Sequence, residues 1–147
     1  MKKRSTYPHA IAVIRGGSDA PNLFGEVKFF QNRNCVTLSV NIAGLPYSES
    51  GFFGFHIHEG HSCTGDGFAD TGSHYNPSGA EHPRHSGDLP PLIECNGGAY
   101  MSVMTDRFRI NDIIGKTIVI HSIPDDFTTQ PAGNAGTKIA CGVIRQI

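Results

Sequence analysis

Six of the eight histidines in this chain lie in one stretch, Phe55 to Asp88, which reads FHIHEGHSCTGDGFADTGSHYNPSGAEHPRHSGD. They are His56, His58, His61, His74, His82 and His85; His9 and His121 lie outside it. Imidazole is the commonest protein ligand for metals, so metal binding is the first chemistry to test. His74, His82, His85 and Asp88 form H-x7-H-x2-H-x2-D. Three nitrogens and one carboxylate oxygen in a loop rich in glycine and proline suit tetrahedral zinc, and four protein ligands close the shell as structural sites do. The plain alternative is a polar loop that happens to be rich in histidine.

His56 and His58 are two residues apart in a run with strand character, GFFGFHIHE. Alternate strand residues point to one face, so both rings can reach one ion. Two histidines on a solvent-facing strand would give the same spacing. His121 ends another strand-like run, KTIVIHS. His58-Glu59-Gly60-His61 is not the zinc-protease motif, which needs histidines four apart on a helix with the glutamate between them. His9 and His61 fit no ligand spacing and read as surface residues.

These residues have to be positioned by strands. CVTLSVNIAGLP (35–46) alternates cleanly, with Val36, Leu38, Val40 and Ile42 on one face and Thr37, Ser39 and Asn41 on the other. That is an antiparallel strand with one buried face. Residues 10–14, 23–32, 51–59, 90–94, 98–106, 116–122 and 137–147 read as further strands, with Asn96-Gly97 as a hairpin turn. Residues 108–115 read as a connector with room for a short strand, and no amphipathic helix is expected. Residues 60–88 lack periodicity; a loop this long in a compact domain is functional or disordered, and a metal would order it. Eight or so short strands indicate an all-β, antiparallel Greek-key sandwich or barrel with long metal-binding loops.

The chain of 147 residues is expected to form a single domain, 1–147. Its net charge is −1 and it has no basic runs, so nucleic acid is not an expected partner. No segment approaches a membrane span, so no membrane partner is expected. The opening, MKKRSTYPHAIAVIRGG, has no apolar signal core; a cytoplasmic protein is expected, or a periplasmic or secreted one whose signal has been removed. Cys35, Cys63, Cys95 and Cys141 contain no CxxC and are too few for a disulfide scaffold.

The motifs GFHIHEG, Cys63, GSHYNP, H-x2-H-x2-GDL, IVIHSIPDD and GNAGTKIACGVI occur in the order found in copper–zinc superoxide dismutases. The chain resembles that family from about His9 to Ile147, and the family's architecture is an immunoglobulin-like eight-stranded β-sandwich. The resemblance implies copper at His56, His58, His74 and His121, and zinc at His74, His82, His85 and Asp88, with His74 bridging a single copper and a single zinc per chain. It implies that Asp125 orients a copper histidine and a zinc histidine through hydrogen bonds. It also implies a disulfide between Cys63 and Cys141, leaving Cys35 and Cys95 as buried free thiols. The implied activity is superoxide dismutation by cycling between Cu(II) and Cu(I), with His74 taking and returning a proton. A homodimer is within the family's habit.

Lys138 departs from the resemblance, because the family carries an arginine before its last A-C. Lysine keeps the charge and loses the planar fork, so a catalytic Lys138 implies reduced activity; a Lys138 turned to solvent would contribute nothing. The segment between His121 and Lys138 is short, with Asp125 and Asp126 but no lysine or glutamate, so most of the charged rim that steers superoxide is missing. Two rivals to the enzyme follow: a copper- and zinc-binding protein that buffers or delivers copper, and a structural module that holds zinc alone.

Overall fold

The computed structural model describes residues 5–147. The charged opening, residues 1–4, lies outside the described residues. Among the described residues there are nine strands: β1 (Ala10–Gly16), β2 (Phe24–Gln31), β3 (Val36–Ala43), β4 (Phe52–Phe53), β5 (Phe55–His58), β6 (Leu92–Ile93), β7 (Ala99–Thr105), β8 (Thr117–His121) and β9 (Lys138–Gln146). One short helix, α1 (Ile110–Ile113), and a 3-10 segment, Asp66–Thr71, complete the chain. Seven strands form one antiparallel sheet in the order β5-β8-β9-β1-β2-β3-β7, and β4 pairs with β6. The all-β antiparallel expectation holds. Among the described residues no helix is long and apolar enough to cross a membrane.

The sheet curls around one core. On β3 the alternation is realised, with Val36, Leu38, Val40 and Ile42 buried and Asn41 exposed. Phe29, Phe53, Phe55, Ile57, Leu92 and Ile120 fill the centre. Apolar burial of this kind drives folding by roughly 25 cal/mol per Å².

Three expectations need correction. Residues 51–59 do not form one strand, because the run breaks at Gly54 and continues in a different pairing. Phe52 and Phe53 pair with β6, whereas Phe55 to His58 pair with β8. Glycine is needed at the corner, where a Cβ would lie 3.0 Å from the Ala135 Cβ and 3.1 Å from the His121 Cβ. The connector at 108–115 holds a helical turn rather than a strand. Ile110 and Ile113, three apart, both turn into the core, and the Ile110 N–H donates to Gln31 Oε1 at 3.0 Å. Asn96 and Gly97 make the expected tight turn with φ of 50° and 79°, but the hairpin expected around it is not formed, because β6 before the turn pairs with β4 rather than with β7.

β5 is the edge strand of the large sheet, and residues 60–88 cover it. The Ile57 N–H donates to the Gly87 carbonyl at 2.9 Å, and the Tyr75 N–H donates to the Ile57 carbonyl at 2.8 Å. Isolated bridges join His58 to His74 and His56 to Asp88. At Gly87 a side chain would run into the Ile57 carbonyl. This cover explains why β5 is buried at all four positions: Phe55 and Ile57 join the core, while His56 and His58 lie beneath the loop.

A candidate metal centre

Strand and loop together bring seven predicted ligands into two adjoining clusters. One holds His56, His58, His74 and His121, the other His74, His82, His85 and Asp88. In each, the candidate ligand atoms lie within 4.8 Å of one another. No member is more than 8% exposed. Buried polar atoms are costly without partners, yet among the described residues four ring nitrogens make no hydrogen bond of good geometry: His56 Nδ1, His74 Nε2, His121 Nδ1 and, despite its approach to Asp88, His82 Nδ1. Converging rings with orphaned nitrogens are the donor set a metal completes.

His74 belongs to both clusters. Nδ1 lies 2.8 Å from Asp88 Oδ1 and 3.3 Å from His85 Nδ1. Nε2 is buried and unpaired, and the ring lies 4.0 Å from that of His56. The Nε2 atoms of His58 and His121 approach to 3.1 Å. Asp88 Oδ2 lies 3.1 Å from His82 Nδ1 and 3.3 Å from His85 Nδ1.

Asp125 sits behind the clusters and links them. It accepts from His56 Nε2 at 2.8 Å through Oδ2 and from His82 Nε2 at 2.7 Å through Oδ1. Burial alone would raise its pKa; the hydrogen bonds from His56, His82 and the Phe127 N–H outweigh that and hold it at about 2. Burial pushes His58 down to about 2 and His121 down to about 3, with neighbouring imidazoles and the Lys138 charge adding to the shift. The rings therefore stay neutral, as metal ligands must.

Lys138 lies at the start of β9, in register with His121. Its Nζ donates to Thr71 Oγ1 at 2.8 Å and to the Gly72 carbonyl at 2.9 Å. The Gly72 carbonyl also accepts from His58 Nδ1 at 2.8 Å. Lysine and histidine are thus one carbonyl apart.

Residues 23–144 match the family described as Copper/zinc superoxide dismutase (SODC). The chain belongs to the copper/zinc superoxide dismutase family. Among similar proteins is "Superoxide dismutase [Cu-Zn] 2" of Aquifex aeolicus (strain VF5), 34% identical over 138 residues, covering 84% of this chain and 80% of the relative. Another is the "Extracellular superoxide dismutase [Cu-Zn]" of Brugia pahangi, 32% identical over 154 aligned residues, covering 92% of this chain and 74% of the relative.

Cys63 and Cys141 form a disulfide, with Cα atoms 5.8 Å apart, and tie the long loop to β9. The other cysteines are not buried as expected: Cys35 is half-buried and Cys95 exposed, at the edge of the Asn96-Gly97 turn. His61 joins neither cluster; its Nδ1 lies 2.9 Å from the Gly115 carbonyl. His9 is exposed, with Nδ1 accepting from the Gln31 N–H at 3.1 Å.

Two residues that hold the histidine loop escape sequence reading. Arg107 Nη1 donates to the carbonyls of Pro83 at 2.8 Å and His85 at 3.2 Å. Gln130 pairs with the backbone of His82 through both ends of its amide. Neither position carries a local signal, because the partners are main-chain atoms distant in sequence.

Proposed function

We propose that this chain disproportionates superoxide, two anions and two protons giving oxygen and hydrogen peroxide, at a copper–zinc pair. The observation that carries this reading is the His74 ring, which belongs to both clusters, with Nδ1 on Asp88 and Nε2 buried without a hydrogen bond. His56, His58, His74 and His121 would hold copper; His74, His82, His85 and Asp88 would hold zinc. Bound copper supplies a one-electron couple, and zinc supplies fixed positive charge without redox chemistry.

The chain's own residues prepare the site. By accepting the Nε2 protons of His56 and His82, Asp125 leaves Nδ1 of each ring as the lone-pair nitrogen. Donation from His58 Nδ1 to Gly72 similarly leaves His58 Nε2 free to ligate. His74 Nε2 is the atom at which a proton would be held and released. The Lys138 ammonium is the cation beside the copper-side cluster, and a fixed cation there attracts the anionic substrate. The whole chain, 1–147, would act as one domain. The naming of one relative as extracellular and the Cys63–Cys141 disulfide make an oxidising compartment an alternative to the cytoplasm.

The test is superoxide dismutation by protein reconstituted with copper and zinc, with both metals counted per chain and metal-free protein as the control. Turnover well above that of free copper is expected at about one copper and one zinc per chain, below what an arginine at position 138 would support. Full loading with turnover no better than free copper would move the function to copper buffering or delivery. That second reading is favoured by one observation, the two Lys138 donors already bound to protein oxygens.

A further inference from the structure

Thr71 is fully buried, on the last residue of the 3-10 segment. Its hydroxyl is used in both directions. It donates to the Phe68 carbonyl at 2.8 Å and accepts from Lys138 Nζ at 2.8 Å. Phe68 itself has a φ of 60°. That conformation is unfavourable for a bulky residue and persists where surroundings enforce it. The Phe68 ring lies against Gly17, where a Cβ would come within 2.9 Å of it. The carbonyl that orients the Thr71 proton is therefore itself fixed.

An ammonium has three donors. Lys138 spends one on Thr71 and one on Gly72, and a third has no protein partner among the described residues. Lysine has a flexible stem and no planar fork, so alone it would sample many positions. Two acceptors, one of them shared with His58, remove that freedom.

We propose that Thr71 is the positioning residue for Lys138: its hydroxyl, locked by the Phe68 carbonyl, holds the ammonium beside the copper-side histidines with one donor left for a small anion. This rests on the reading that those histidines hold copper and that Lys138 meets the anion. It makes Thr71 the partner that lets a lysine serve as a fixed cation there.

The test is titration of azide, a small anion, into copper- and zinc-loaded protein, followed by absorbance with metals counted in every sample. Wild type, Thr71→Val, Thr71→Ser and Lys138→Met are compared. Valine keeps the buried volume and removes the hydroxyl; serine restores the hydroxyl. Thr71→Val is expected to weaken azide binding about three- to tenfold, the loss of one hydrogen bond, with metal content unchanged and affinity recovered in Thr71→Ser. Wild-type azide affinity in Thr71→Val beside weakened binding in Lys138→Met would overturn the role of Thr71 alone. Unchanged binding in Lys138→Met would overturn the underlying reading of Lys138. Metal loss in Thr71→Val, or failure of serine to recover affinity, would mean that Thr71 supports the loop and not the lysine.

Discussion

Gln130 and His82 meet through both faces of an amide: the His82 N–H donates to Gln130 Oε1 at 2.9 Å, and Gln130 Nε2 donates to the His82 carbonyl at 2.8 Å. The same short loop sends Asp125 to the His82 ring at 2.7 Å. One loop thus grips a candidate zinc ligand by its backbone and its imidazole. The loop is stiffened by Asp126, whose Oδ1 accepts from the Thr128 and Thr129 N–H groups at 2.9 and 2.8 Å. Gln130→Met keeps the length of the side chain and removes both hydrogen bonds. Zinc affinity, measured by chelator competition, is expected to fall about tenfold, since partners of metal ligands are worth 10–100-fold. Copper affinity should change far less. Equal loss of both metals would mean that Gln130 holds the fold and not the zinc side.

His74→Ala should weaken both sites together. His74 belongs to both clusters, so one substitution removes a donor from each. His85→Ala is the control, because His85 belongs to the Asp88 cluster alone and should cost mainly zinc. Metal counts after dialysis against a weak chelator read the difference. A His74→Ala protein that keeps both metals would refute the shared-ligand assignment.

The two clusters were legible in the sequence partly from spacing, which linked His56 with His58 and His74, His82, His85 with Asp88, and partly from the family resemblance, which alone brought in His121. His56 and His58 share a face by the two-residue period of a strand, and β3 was equally plain from Val36 to Ile42. The break at Gly54 was not legible. A glycine between two apolar pairs reads as strand continuation, and only the crowding by Ala135 and His121 makes it a corner. The turn at Ile110–Ile113 is too short for helical periodicity to rise above a strand reading. Thr71, Arg107 and Gln130 were invisible for another reason: each meets backbone or side-chain atoms brought near by the fold, 19 or more residues away. Cys35 lies just before β3 and Cys95 just after β6, at strand ends that reach solvent, which composition does not encode.

Metal-free protein should be acid-labile. Burial holds His58 down to about 2 and His121 down to about 3, whereas both would titrate near 6.5 in the unfolded chain. Below about pH 6.5 the unfolded chain therefore binds protons that the folded chain refuses. Folding stability is present above that value and is lost as pH falls, by about 1.4 kcal/mol per pH unit for each such proton. The Asp125 contribution has the same direction but a lower window, because its folded value near 2 lies below the ordinary carboxylate range. Thermal melts of apo protein should drop steeply between about pH 7 and 4, while metal-loaded protein resists until protons displace the metals. A flat apo profile across that window would show that these rings are solvated without metal.

Lys138 should give the dismutation rate an alkaline limb that arginine would not. Burial lowers its pKa below the ordinary lysine value, so the charge beside the histidines is lost before pH reaches about 10.4. Guanidinium stays charged across the whole range. Lys138→Arg is therefore expected to raise the rate at low salt, where electrostatic attraction is least screened, and to flatten the alkaline fall. Stopped-flow dismutation from about pH 7 to 11 at two salt concentrations reads both effects. A Lys138→Arg profile that overlays the wild type would mean that this side chain never meets the anion, and the two bonds to Thr71 and Gly72 would then be its whole role.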